Sequence, residues 1–300
     1  MPFAACKILR IKKGMKVMIK TFYDFKAKKD FLVCIDSDGC AMDTMELKHR
    51  HAFGPLAIKV WGLEDIQESF LERWFAINLY QKSRGINRFK GIAKIFEDMS
   101  LDGFKMPDYA ALKKWTQTSP ELSARSLGAA YAKSKDPSLL LTLEWSKEVN
   151  QTIESLRGQD KPFSYVKESL QALHQFADIA IVSSANTQAV QDEWTRHSLI
   201  DYVDILCGQE LGSKAYCIQE LRSRGNYSDN HTLMIGDALG DYDAALQNHT
   251  LYYPILARKE NASWQAFFTE AIKHFKEENY QGSYSEQLIQ EFIASFETNK

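Results

Sequence analysis

The 300-residue sequence has no CxxC pair, no apolar run long enough to cross a membrane, and no surplus of either charge. Each absence excludes something. The five cysteines, Cys6, Cys34, Cys40, Cys207 and Cys217, are odd in number and lack metal-ligand spacing. That argues against a disulfide scaffold or a zinc site and suits reduced thiols in the cytoplasm. Lys and Arg total 37 against 39 for Asp and Glu, a formal net charge of −2, so the chain lacks the basic excess of a general nucleic-acid binder. Without a membrane span, no membrane association is expected. Without an internal repeat or low-complexity tract, a solenoid is excluded.

What is present reads as a globular chain of one large domain or two ordinary ones, 45% hydrophobic and 12% aromatic. The charge is uneven. Lys7, Arg10, Lys12, Lys13, Lys16 and Lys20 make the first twenty residues +6 and leave −8 for the rest. No apolar stretch of signal-peptide length accompanies them. Residues 1–29 are therefore expected to form a basic surface extension, with Met15 and Met18 as alternative starts.

The pattern then divides the chain. Phe31–Ile35 is a short apolar run that ends in Asp36-Ser37-Asp38-Gly39. Between about 42 and 177 the spacing is helical throughout, for example across 63–81. Ser119-Pro120, Asp136-Pro137 and Lys161-Pro162 read as helix starts, the last of a helix reaching about Phe176. Beyond it, apolar runs at 179–182, 203–207, 232–235 and 251–255 alternate with helices at 187–197, 213–224 and 241–248. Strand–helix alternation means a parallel sheet with helices on both faces. The expected architecture is α/β: a Rossmann-like core from 30–43 and 178–256, a large all-α cap over 44–177 inserted after the first strand, and helices over 257–300 packing on the core.

Parallel sheets bind their ligands outside the carboxyl ends of their strands. Those ends offer Asp36 and Asp38, then Ser183 and Ser184, then Lys214 after Gly208, then Gly236-Asp237 and Asp241. Two unit charges ~4 Å apart repel by about 4 kcal/mol at an effective dielectric of ~20, so converging carboxylates need protons or a cation. An all-oxygen donor set points to a hard ion such as Mg2+. One carboxylate can act as a nucleophile, a second as general acid and base, and a hydroxyl, a helix N-terminus and an ammonium can hold phosphate.

With Asp36-Ser37-Asp38-Gly39, Ser183, Lys214 and Gly236-Asp237 with Asp241 in this order, the chain resembles the haloacid dehalogenase superfamily. The long gap falls where that superfamily inserts a C1-type helical cap. The resemblance covers about residues 30–256. It implies Asp36 as nucleophile and Asp38 as general acid/base. It implies Mg2+ on Asp36, on Asp38 through its backbone carbonyl, and on Asp237, with Asp241 at the edge of that shell. Ser183 and Lys214 would hold the phosphate, with Ser184 as a substitute if the strand runs one residue longer. Ala215 replaces the proline that often follows the third-motif lysine.

The function implied is a Mg2+-dependent phosphohydrolase of a small phosphorylated metabolite, working as monomer or homodimer through an aspartyl-phosphate. A phosphomutase of the same architecture, resembling beta-phosphoglucomutase, is the alternative. A phosphonatase would need a cap lysine, for which Lys48 and Lys82 are available. A non-catalytic binding protein on this scaffold would show a broken motif. His49, Arg84, Asn87 and Arg88 are the candidate cap contacts to substrate.

Overall fold

A computed structural model describes residues 22–296. Cys6, the basic residues at 7–20, Met15 and Met18 lie outside the described residues.

Five parallel strands form one sheet in the order β3-β2-β1-β4-β5: β1 Phe31–Ile35, β2 Ala177–Val182, β3 Ile205–Cys207, β4 Thr232–Gly236 and β5 Leu251–Pro254. β1 is central, with Ile35 level with Ile181 on one side and Ile235 on the other. The apolar runs suit a sheet covered on both faces. Val33, Ile35, Ile179, Ile181, Leu233 and Ile235 belong to one core, and Leu32, Cys34, Ala180, Val182 and Met234 to the other. Trp194 of the helix Thr187–Arg196 packs in the first, with Trp264, Phe267 and Phe275 from the helical stretch 260–276. Ile218 and Leu221 of Lys214–Gly225, Ala244 and Ala245 of Leu239–Gln247, and Phe292 of Ser283–Ser295 pack in the second. The last two helical segments therefore divide between opposite faces of the sheet.

Most differences from the expected elements have local causes. β3 begins two residues late because Val203 follows a 3-10 turn, Ile200–Tyr202. Asp204 then accepts the Ile179 amide on its side chain at 3.0 Å in place of a strand carbonyl. Ser119 closes the helix Ala110–Thr118 rather than opening one, its amide still bonded to the Trp115 carbonyl; Ser123 caps the next helix, Ala124–Ser134, in a capping box with Ser126. Asp136 caps Pro137–Ser155 as read. Lys161-Pro162 starts no helix. The Asp43 amide donates to the Lys161 carbonyl at 2.8 Å, and the Phe163 amide to that of Ala41 at 3.1 Å. The two linkers of the inserted region are thus paired, and the helix waits until Val166–Leu173.

Part of the 1–29 segment is not a free extension. Phe22 and Phe25 are buried in the second core. The Lys28 and Lys29 amides bond Asp178 at 2.8 and 3.1 Å, and the Lys28 ammonium bonds Asp204 at 2.9 Å. Apolar anchors and two buried carboxylates hold this stretch against the amino end of the sheet.

The inserted region has its own aromatic core. Trp145 lies 5.8–6.4 Å, centroid to centroid, from Trp61, Trp74, Phe53 and Phe89, and donates its indole N–H to the Phe53 carbonyl at 3.1 Å. Two π-helical turns, His49–Phe53 and Ala76–Tyr80, interrupt its first helices; such turns are frequent at functional sites. Among the described residues no helix is long and apolar enough to cross a membrane. Cys34, Cys40, Cys207 and Cys217 are buried free thiols.

Candidate active site

Central placement of β1 sets the position of Asp36. Its amide donates to the Ile235 carbonyl of β4 at 3.0 Å, so its side chain emerges at the carboxyl end of the middle strand. The following loop folds tightly, with the Ser37 carbonyl accepting from the Ala41 and Met42 amides at 3.1 and 2.9 Å. Gly39 has φ +78°, and a Cβ there would lie 2.8 Å from both Asp237 Oδ2 and Arg84 Nη2. Glycine is required on both counts.

Asp237 leaves β4 beside Asp36. Asp241, in the first turn of Leu239–Gln247, accepts the Asp237 and Ala238 amides on Oδ2, each at 3.2 Å. Asp36, Asp237 and Asp241 each offer an oxygen within 4.8 Å of the others, and all three are buried. Lys214, the first residue of its helix, sits between Asp36 at 3.0 Å and Asp241 at 2.5 Å. Arg84, from the inserted region, donates through Nε to Asp237 Oδ2 at 2.6 Å.

These contacts explain the protonation preferences. Burial pushes Asp36 well above the usual carboxylate range, with Asp241 and Asp237 adding to it and Lys214 opposing it. Asp237 is raised mainly by burial, with Arg84 opposing. Burial would lower Lys214, but Asp241 and Asp36 outweigh it and keep the ammonium charged.

Three carboxylates thus face two cations. Asp237 Oδ1 is buried with no hydrogen-bond partner. An orphaned carboxylate oxygen, a residual negative charge and an all-oxygen donor set fit a hard divalent cation. Asp36, Asp237 and Asp241 are the side chains that could hold it.

Asp38 turns elsewhere. Its carboxylate accepts from the Thr44 hydroxyl at 2.5 Å and the Lys48 ammonium at 2.7 Å, outside the acidic group. Burial acts to raise it, yet Lys48 and Thr44 together hold it below the usual range. Lys48 also lies 3.5 Å from Glu193, which burial pushes up to about 7. The sequence reading missed Thr44 and Glu193. Thr44 precedes a four-residue helix, Met45–Lys48, and signals only a cap, and Glu193 sits among the polar residues of a surface helix, so neither announced a site.

Ser183 is buried directly after β2, its amide on the Cys207 carbonyl at 2.9 Å and its oxygen accepting the Ala185 amide at 3.1 Å. The hydroxyl proton is left to donate. Ser184 is exposed, because β2 ends at Val182. The helix that follows is capped by Asn186, not by either serine.

Of the four candidates in the inserted region, Arg84 alone makes a hydrogen bond to the rim. His49 lies in the aromatic core, its Nδ1 accepting from the Trp74 indole at 3.0 Å. Burial, with Arg84 adding, lowers its pKa to about 3. Asn87 is exposed and caps Arg88–Leu101, and Arg88 reaches Asn150 at 2.8 Å and stacks over Phe53. Lys48 joins Asp38, whereas Lys82 is exposed.

A cleft runs between the inserted helices and the core beside Asp38, lined by Thr44, Lys48, Arg157, Asp160, Glu193 and Arg196 among others. Its cations are matched by neighbouring acids: Arg157 with Glu154 and Asp192, Arg196 with Asp160.

No curated protein matches the chain. Among solved structures, it is similar to a haloacid dehalogenase-like family hydrolase from Streptococcus pneumoniae, at 14% identity over 78% of this chain and 90% of that one, TM-score 0.40. It is similar to a hydrolase from Pseudomonas syringae at 13% identity, with the same shares covered and a TM-score of 0.46. A HAD-superfamily hydrolase, subfamily IA, variant 1, from Geobacter sulfurreducens gives 13%, shares of 76% and 88%, and 0.39. The family signature described as haloacid dehalogenase-like hydrolase matches residues 86–250, more than half of the chain. That span contains Ser183, Lys214, Asp237 and Asp241, while Asp36 and Asp38 precede it. With the strand-end acids meeting on one rim and the signature covering most of the sheet, the chain belongs to the haloacid dehalogenase-like hydrolases.

Proposed function

We propose that the chain is a Mg2+-dependent phosphohydrolase that removes phosphate from a small phosphorylated metabolite through an aspartyl-phosphate on Asp36. The observation that carries this reading is the separation of two carboxylates by their partners. Asp36 lies against Lys214 within the acidic group, and Asp38, two residues on, stands apart on Thr44 and Lys48.

Asp36 attacks phosphorus as the bond to the leaving oxygen breaks, and Asp38 delivers a proton to that oxygen. Asp38 then takes a proton from water as the water attacks phosphorus, freeing Asp36 and releasing phosphate. The Lys48 contact favours the carboxylate form of Asp38, the form needed to activate water. Protonating the leaving oxygen requires the entering substrate to displace that contact. Lys214 and the Ser183 hydroxyl hold phosphate oxygens. Asp36, Asp237 and Asp241 would hold Mg2+, which when bound supplies positive charge to the transferring phosphoryl group. The leaving group would occupy the cleft beside Asp38.

The test is phosphate release from a broad set of small phosphomonoesters, with Mg2+ and with chelator. Release from at least one ester, abolished by chelation, is expected. No release from any of them would overturn the proposal.

A further inference from the structure

Arg84 is almost fully buried, yet it belongs to a turn of the inserted region between the helical stretch 67–80 and Arg88–Leu101. Its guanidinium joins two bodies. Nη1 donates to the Leu79 carbonyl of its own region at 2.6 Å. Nε donates to Asp237 Oδ2 at 2.6 Å, and Nη2 to the Gly39 carbonyl at 3.3 Å, both in the core. Glu260, at the start of the segment after β5, lies 3.7 Å from Nη2. One oxygen of Asp237 is therefore fixed by the inserted region, and the other, Oδ1, is the buried oxygen without a partner.

A carboxylate clamped through one oxygen presents the other in a fixed direction. Partners of this kind orient metal ligands, and their loss typically weakens metal binding 10–100-fold. Charge permits both at once: when ionised, Asp36, Asp237, Asp241 and Glu260 exceed Lys214 and Arg84 by two negative charges, which a divalent cation offsets. We propose that Arg84 is a positioning residue for the cation site, carried by the helical cap, so that cation binding and docking of the cap on the core favour each other. This rests on the reading of Asp36, Asp237 and Asp241 as a Mg2+ site. By linkage, a cation that binds the docked form better must also stabilise docking.

Calorimetric titration of MgCl2 into the full chain tests it, alongside hydrogen exchange of the linkers 41–44 and 160–163 with and without Mg2+. In the wild type Mg2+ should bind and slow linker exchange. Arg84→Met should raise the Mg2+ Kd at least tenfold and abolish that slowing at matched occupancy. Arg84→Lys, which keeps the charge and loses the fork, should fall between them and serves as the second variant if Arg84→Met does not fold. Equal affinity and equal protection in wild type and variants, or tighter binding in the variants, would overturn the inference and leave the metal reading standing. No Mg2+ binding by the wild type would overturn the metal reading itself, and this inference with it.

Discussion

Buried acids lie at both ends of the sheet, and the two clusters are built differently. At the amino end, Asp178 Oδ2 accepts from the Lys28 and Lys29 amides and from the Tyr227 hydroxyl at 2.6 Å. Asp204 takes the Lys28 ammonium and the Ile179 amide. Two acids meet one ammonium and several neutral donors there, the Lys29 ammonium turning to the His174 and Ala177 carbonyls instead. At the carboxyl end three acids crowd within 4.8 Å around Lys214 and Arg84, and Glu260 shares Arg84 with them. Each cluster contains one fully buried carboxylate oxygen without a hydrogen bond, Asp178 Oδ1 and Asp237 Oδ1. An orphaned oxygen alone thus does not mark a site. Crowding of like charge is the difference, because converging carboxylates coexist only with protons or a cation to offset them.

The comparison can be broken at several points. The largest effect should come from Asp36→Asn. Phosphate release should fall by about 10^3-fold or more, the order seen when a catalytic nucleophile is removed, with the circular dichroism spectrum unchanged. Lys214→Met should leave Asp36 and Asp241 facing each other unshielded. Removing one partner of a buried ion pair costs about 3–5 kcal/mol, measured here by urea unfolding without Mg2+, and saturating Mg2+ should restore part of the loss.

The aromatic core of the cap extends the contrast, since an ionisable residue buried in it, His49, is kept neutral. His49 has a folded pKa of about 3, below the ordinary histidine value near 6.5. Between those values the unfolded chain binds more protons, so this contribution is complete above pH ~6.5 and is lost as pH falls toward 3. The slope approaches about 1.4 kcal/mol per pH unit. In urea unfolding followed against pH, His49→Gln should flatten that dependence. The smallest effect is expected at the amino end. Asp178→Asn should cost about 1–3 kcal/mol of stability through lost charge-assisted hydrogen bonds, with kcat/KM within twofold of wild type by phosphate-release assay.

The rim was legible in the sequence because a parallel sheet makes it a local matter. A short apolar run fixes a strand, and the residue after it must stand at the carboxyl edge, as Asp36, Ser183 and Asp237 do. Lys214 and Asp241 follow from helix starts one loop away. The cap was legible as helices but not as contacts. His49 reads as a basic residue of a helical stretch and Arg84 as one of a polar turn between helices, and neither setting names its partner. Only docking decides that one enters an aromatic core and the other reaches Asp237. Thr44 and Glu193 escaped for the same reason: Thr44 bonds Asp38, and Glu193 meets Lys48, which spans from Asp38 to the helix Thr187–Arg196. Phe22 and Phe25 escaped because lysines around them suggested a solvated segment, while their rings fill the second core.

The central claim is that Asp36 becomes phosphorylated during turnover. Rapid acid quench of the enzyme mixed with a turned-over phosphomonoester and Mg2+, followed by peptide mapping, tests it most directly. The account predicts an acid-stable, hydroxylamine-labile phosphoryl group on the peptide carrying Asp36, absent in Asp36→Asn. Phosphate release with the phosphoryl group on another residue, or with no phosphoryl-enzyme under single-turnover quench, would contradict it.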